Sequence, residues 1–273
     1  MDLGLSNRVA LVAGSSSGLG FATALELARE GARVVLNGRD AERLAAARRR
    51  LIDALRAEGE ASAVDEEAVA TIAADVATPE GCARLVEAAT TRFGRLDVLV
   101  TNAGGPPTGR FDDLGEAEWS GAFELTLMSA VRLVRAALPL LRESDAAAIL
   151  TITSISLKQP IEGLLLSNAM RPAVAGLTKT LSQELAGEGI RVNSLLPGWT
   201  ATERVVHIFE DRAARSGADV AAETSRVTDA IPLGRMAEPA EIGRVAAFLC
   251  SPAAGYVSGV MLQVDGGSYP GLL

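Results

Sequence analysis

The chain has 273 residues, 48% of them hydrophobic and only 4% aromatic, and a formal net charge of −8 at pH 7. This length buries a sizeable core, and a core of Ala, Val, Leu and Ile suits a parallel sheet covered by helices. The acidic balance argues against nonspecific nucleic-acid binding, the two cysteines and single histidine against a metal site or disulfide framework, and the lack of any apolar run near ~20 residues against a membrane span.

The opening "MDLGLSNR" shows no basic stretch with a cleavage site, so a cytoplasmic location is expected. A first strand is predicted over "RVALVA" (8–13), followed by a glycine-rich turn and the helical stretch "ATALELARE" (22–30). Strand two is "RVVLN" (33–37), and "AERLAAARRRLIDALRAEGE" (41–60) reads as an amphipathic helix whose arginines at 48–50 form a solvated face. Further strands are predicted over 70–74, 96–101, 147–153, 191–196 and 260–264, with "EIGRVAAFL" (241–249) as the last helix. Strands alternating with helices imply right-handed crossovers and a parallel sheet. The expected architecture is one domain over 1–273, an α/β doubly wound fold of the Rossmann type: a seven-stranded parallel sheet with helices on both faces.

Residues 201–230 break this rhythm, being polar, charged and helix-prone with no strand. They follow a strand's C-terminal end, where ligands bind in such sheets, and are read as a substrate lid in preference to an extra surface helix pair. Val205, Ile208 and Phe209 within them either form an apolar pocket or pack the helices together.

"AGSSSGLG" (13–20) joins the first strand to the first helix. Gly14, Gly18 and Gly20 permit a tight turn and close approach of backbone to a pyrophosphate at the helix N-terminus, with Ser16, Ser17 and Leu19 beside it. The second strand ends "VVLNGRD". Gly38 stands where an acidic residue would bind a ribose 2′-hydroxyl, and Arg39 follows, a guanidinium suited to a 2′-phosphate. NADP(H) is therefore the expected cofactor, with NAD(H) second. Ser17 departs from that pattern, since it stands where NADP-binding relatives often carry another basic residue. Asp40 is placed to cap the next helix.

"AGSSSGLG", "ADV" (74–76), "TNAGG" (101–105), the serine of "TITSIS", "RVNSLLPGW" and "YVSGVMLQVDGG" together resemble a short-chain dehydrogenase/reductase, most closely the branch of 3-oxoacyl-acyl-carrier-protein reductases. The resemblance covers almost the whole chain in order and spacing. It implies that Asp75 and Val76 hold the adenine, that Asn102, Ala103 and Gly104 line the cofactor, and that Pro197, Gly198 and Thr202 frame the nicotinamide. It also implies a homotetramer or homodimer and a small carbonyl or alcohol substrate. Plainer readings exist: Asn102 could simply stabilise a strand end, and Pro197-Gly198 could be an ordinary turn.

In the family a serine, a tyrosine, a lysine and an upstream asparagine cooperate in catalysis. The resemblance places these positions at Ser154, Ser167, Arg171 and Thr126. No tyrosine can be shifted into place, because the only two are Tyr256 and Tyr269. Ser167 and Arg171 are four apart and share a helix face. Arg171 keeps a fixed positive charge for a ribose but does not release a proton at working pH. An aliphatic hydroxyl is a weaker, shorter acid than a phenol, so Ser167 reads as a placeholder rather than a general acid. Of the 26 basic residues only Lys158 and Lys179 are lysines, a bias that offers compositional drift as one account of the exchange at 171.

Substitute donors are Lys158, His207, Tyr269 from the C-terminal tail, or a water held by Ser154 and Ser167, although an exposed loop lysine and a surface histidine are the plainer readings of the first two. Two functions compete: an NAD(P)-dependent oxidoreductase with an atypical proton donor, and a non-catalytic NADP-binding sensor or assembly protein. A simple scaffold that binds no nucleotide is disfavoured by the glycine loop.

Overall fold

The computed structural model describes residues 1–57 and 65–272. The first half comprises β1 (Val9–Val12), α1 (Gly18–Arg29), β2 (Arg33–Gly38), α2 (Ala41–Ala57), β3 (Val69–Ala73), α3 (Pro79–Phe93) and β4 (Val98–Thr101). Next come α4 (Glu116–Phe123), a π-helical turn (Glu124–Met128), α5 (Ser129–Leu141), β5 (Ala148–Ile152), α6 (Leu165–Glu184) and β6 (Arg191–Pro197). The chain ends with α7 (Glu203–Ser216), α8 (Val220–Thr228), α9 (Pro239–Cys250) and β7 (Met261–Val264).

All seven strands pair in parallel in the order β3-β2-β1-β4-β5-β6-β7. This is the doubly wound Rossmann-type sheet expected from the alternation, and the strands keep their expected positions to within a residue or two. Residues 58–60 of the predicted second helix lie outside the described residues.

Each central strand is buried on both faces, which is why it reads as a continuous apolar run rather than an alternating one. In β1, Val9 and Leu11 pack with Leu85 and Leu133 of α3 and α5, whereas Ala10 and Val12 pack with Leu27 and Ile242 of α1 and α9. A one-residue slip would exchange the two sets, so the two cores fix the register. β1 lies between β2 and β4, where the winding reverses, and a crevice opens there at the C-terminal ends of the strands.

The segment 201–230 forms the helix pair α7 and α8. Its Ile208, Phe209 and Val227 build a small core with Leu164 and Ile231. Phe209 packs against Trp199 with ring centroids 5.3 Å apart and the rings tilted by 36°. Among the described residues no helix is long and apolar enough to cross a membrane and no cluster of metal-binding side chains occurs. Cys82 and Cys250 are buried and free, and burial pushes their thiols up to about 11 and about 12.

Candidate active site

The glycine loop is shaped by its own backbone and held from two sides. Gly14 and Gly18 both have φ of +58°, a conformation that other residues rarely adopt. A Cβ on Gly20 would collide with the Gly14 carbonyl and lie 2.8 Å from Asn102 Nδ2. Asn102 Nδ2 donates to the carbonyls of Ala13 (3.2 Å) and Gly14 (3.0 Å). Asn102 thus stabilises a strand end and lines the crevice as well.

On the other side, Asn37 accepts from the Gly14 N–H at 3.1 Å and donates to the carbonyls of Ile72 and Ala74, each at 3.1 Å. Sequence reasoning missed Asn37, whose signal is a fully buried amide at the end of an apolar strand. Ser17, at the N-cap of α1, makes no side-chain capping bond, so the first N–H groups of α1 are available to an anion.

A cleft of about 390 Å³ opens over this loop. Of the sequence-predicted residues it gathers Gly14, Ser17, Gly18, Leu19, Asn102, Ala103, Gly104, Ser154, Ser167, Arg171, Pro197, Gly198 and Thr202. Ser16, Gly20, Arg39, Asp75, Val76 and Thr126 are not in its lining. Ser16 and Arg39 lie at the ends of β1 and β2, where Gly38 passes so close to Ser16 that a Cβ would come within 3.0 Å of it. Asp75 and Val76 follow β3; the Asp75 carboxylate accepts from the Ala77 N–H at 3.0 Å, and Val76 is buried in the core. These residues stand outside the cleft, Arg39 directly after β2 and Asp75 and Val76 shortly after β3. Asp40 caps α2 as expected, accepting from the Arg43 N–H at 2.9 Å.

Three of the four positions expected to be catalytic, Ser154, Ser167 and Arg171, line the same cleft. Ser154 Oγ accepts from the Ser156 N–H at 3.0 Å in a short turn after β5. Arg171 Nε donates to Ser167 Oγ at 3.2 Å, and its terminal NH1 group donates to the Thr153 carbonyl at 2.7 Å. Burial, with the charge of Arg204, brings the Arg171 guanidinium down to about 10, so it stays cationic at neutral pH. Thr126 sits in the π-helical turn, a local irregularity common at functional sites. Its buried hydroxyl has no partner among the described residues. A second cavity of about 20 Å³, lined by Asn102, Thr126 and Arg171 among others, is large enough for one water.

The substitute donors separate. Lys158 is half-buried, not an exposed loop residue: its Nζ donates to Gln263 at 2.8 Å and lies 5.3 Å from the centroid of the Tyr269 ring. Neither Lys158 nor Tyr269 lines the cleft, but His207 does, with Nδ1 2.9 Å from Glu210 Oε2 and most of its side chain exposed. Val205 and Ile208 line the cleft, whereas Phe209 serves helix packing. Sequence reasoning also missed Arg43 and Arg204 in the lining. Arg43 lies one helical turn beyond Arg39, a spacing that could have drawn attention to it.

The close backbone approach, the available helix N-terminus and the adjoining cationic groups fit a dinucleotide. Known proteins agree. Residues 13–269 match the family model described as enoyl-(acyl carrier protein) reductase. Dehydrogenase/reductase SDR family member 4 from Oryctolagus cuniculus is 31% identical over 97% of this chain and 94% of that protein. L-sorbose reductase from Gluconobacter frateurii, solved with NADPH and L-sorbose, superposes with a TM-score of 0.90 at 35% identity over the whole of both chains. A short-chain oxidoreductase from Pseudomonas aeruginosa PAO1, described as containing an atypical catalytic center, superposes with a TM-score of 0.85 at 33% identity over 98% of this chain and 99% of that one. Glycine loop, sheet order, convergent serine and near-complete coverage lead to one conclusion: the chain belongs to the short-chain dehydrogenase/reductase family of NAD(P)-dependent oxidoreductases.

Proposed function

We propose that this protein is an NADPH-dependent oxidoreductase interconverting a small carbonyl compound and its alcohol, with the tyrosine and lysine of its relatives replaced by Ser167 and Arg171. The carrying observation is the convergence of Ser154, Ser167 and Arg171 in the cleft that also holds the glycine loop and Pro197-Gly198. The solved relative with an atypical catalytic center supports the reading that the fold can carry an altered site. A nicotinamide bound here supplies or accepts the hydride.

The chain's own residues orient and protonate. Ser154 holds the substrate oxygen. Ser167 accepts a hydrogen bond from Arg171, which leaves its own O–H free to donate to that oxygen. When hydride reaches the carbonyl carbon, the developing alkoxide is met by this O–H and by the fixed charge of Arg171. Serine is a poor acid, so its proton must be replenished from water. A water in the cavity lined by Thr126 and Arg171 supplies it, and the hydroxide left behind is neutralised by solvent. Arg171 also serves the ribose.

NADPH is favoured over NADH because Arg39 is accessible at the end of β2 and Arg43 lies one turn away, so both can meet a 2′-phosphate. NADPH-bound relatives support this preference. Asp75 and Val76 take the adenine. The α7–α8 pair serves as the lid, carrying Val205 and Ile208 over the substrate. A homotetramer or homodimer is expected through α4–α5, α6 and β7.

The second reading, a non-catalytic NADP-binding sensor or assembly protein, draws on the lack of a phenol in the cleft among the described residues. Fluorescence titration with NADPH and NADH, followed by a carbonyl and alcohol panel on the bound protein, separates the two. Tighter NADPH binding with turnover that is lost in Ser154→Ala is the expected result. Binding without turnover on any panel member overturns the enzymatic reading.

A further inference from the structure

One of the cations in the cleft stands apart from where a dinucleotide's phosphates belong. Arg43, Arg171 and Arg204 all line the cleft, against one carboxylate, Glu203, which is exposed and pairs with Arg43 at 3.3 Å. Arg204 is the unusual member. It lies on the first turn of α7, half-buried, and among the described residues it has no ion pair. Its one hydrogen bond is to the Pro106 carbonyl, at 2.6 Å. Asp211 lies close enough to be felt electrostatically, but its carboxylate accepts from Thr108 at 2.7 Å instead. Burial lowers the pKa of Arg204, and the charge of Arg204 in turn lowers that of Arg171, so two guanidiniums share this end of the cleft.

Position decides which anion could relieve this. The pyrophosphate of a dinucleotide belongs over the glycine loop and the N-terminus of α1. Arg204 lies elsewhere, against Gly105 and Pro106 beyond β4: a Cβ on Gly105 would fall 2.8 Å from Arg204 Nε. The cleft lining also includes Ile161, Leu164, Trp199 and Val205, apolar side chains that give its two neighbouring guanidiniums no counter-charge. A cation drawn out of water without a partner is costly, and such a site is completed by a ligand anion.

We propose that Arg204 recognises a carboxylate on the substrate, so that the oxidoreductase proposed above acts on an oxo acid or hydroxy acid with a short aliphatic body. The assignment rests on that reading for the reaction but not for the binding. The guanidinium takes the carboxylate as a two-point contact and sets which way the carbonyl faces Ser154 and Ser167. The flexible segment of the acid lies along Leu164 and Trp199.

The test uses NADP⁺-saturated protein and two probe pairs, 4-oxopentanoate and 6-oxoheptanoate, each against its methyl ester. Binding is followed by calorimetry, and turnover separately with NADPH. The wild type should bind the acids at least about tenfold more tightly than the esters, each tenfold corresponding to about 1.4 kcal/mol. Arg204→Met should erase that preference, Arg204→Lys should keep part of it, and the NADPH affinity of both should stay within about twofold of wild type. A melting temperature of Arg204→Met no lower than wild type confirms that it folds.

Acid binding that depends on Arg204 but gives no turnover supports the anion site while overturning the enzymatic reading. Esters that bind as well as acids, or no acid binding at all, overturn the inference. So does a parallel loss of NADPH affinity in Arg204→Met, which would make Arg204 a pyrophosphate ligand.

Discussion

Arg171 donates from Nε to the Ser167 hydroxyl at 3.2 Å, while its NH1 group reaches the Thr153 carbonyl at 2.7 Å. One guanidinium therefore ties α6 to the end of β5 and fixes the direction of the Ser167 hydroxyl. The next residue, Pro172, takes one N–H out of the helical ladder. The amide of Asn168, beside Ser167, holds the cleft-lining loop through Ile161, accepting from its N–H at 3.1 Å and donating to its carbonyl at 2.9 Å. The pair offers one hydroxyl and one fixed positive charge, and under the proposed function it lacks the acidity of a phenol.

Restoring the acid should therefore raise the rate. General acid–base catalysis is worth about 10²–10⁴-fold. The double variant Ser167→Tyr/Arg171→Lys is expected to raise kcat for carbonyl reduction by at least the lower part of that range. Steady-state kinetics with saturating NADPH checks it. An unchanged kcat with cofactor binding intact would show that proton delivery does not limit the native enzyme.

Cofactor preference should depend on the two arginines near the end of β2. A hydrogen bond to a charged group contributes about 1.5–3 kcal/mol. Arg39→Ala is expected to weaken NADPH about tenfold or more, and Arg39→Ala/Arg43→Ala further, with NADH affinity nearly constant. Equal losses for both cofactors in a fluorescence titration would remove the 2′-phosphate assignment.

The buried Thr126 hydroxyl invites a split between stability and rate. No protein group bonds to that hydroxyl, and valine keeps the side chain's shape, so Thr126→Val should leave the melting temperature nearly unchanged. Turnover should nonetheless fall severalfold, because the proposed proton route relies on this hydroxyl to hold the water that replenishes Ser167. Unchanged turnover with an unchanged solvent isotope effect would remove Thr126 from the proton route.

Far from the cleft, Asp97 is expected to contribute to acid stability. Its side chain is fully buried and accepts from Val9 N at 2.8 Å, Ser144 Oγ at 2.6 Å and Arg95 NH2 at 2.5 Å. Burial opposes its ionisation, but the bonds from Arg95, Ser144 and Val9 prevail and hold its pKa below the usual carboxylate value. A depressed carboxylate stabilises the fold above its unfolded pKa, about 3.9, and loses that contribution as pH falls through its folded value. Removing one partner of a buried pair costs about 3–5 kcal/mol. A partly exposed Arg95 places Asp97→Asn at about 3 kcal/mol or less, several degrees of melting temperature near neutrality. The gap from wild type should narrow below about pH 4; a constant gap across that range in thermal melts would contradict the assignment.

The seven strands were legible because two-sided burial writes each one as an unbroken apolar run between helical stretches. The glycine loop was legible because Gly14 and Gly18 occupy backbone conformations that other residues rarely adopt, and Gly20 leaves no room for a Cβ. The convergence of Ser154 and Ser167 could be anticipated from family spacing. The roles of Asn37 and Arg204 could not be, because each depends on a partner distant in sequence: Asn37 on Ile72 and Ala74, Arg204 on Gly105 and Pro106. The fate of Lys158 was likewise set by Gln263, on a strand more than a hundred residues later. Local sequence determined the elements, their order and the conformational needs of the turns, because these follow from side-chain periodicity and backbone sterics. Only the tertiary structure decided which cations find a partner and which remain free in the cleft, because electrostatic pairing depends on distance in space rather than along the chain.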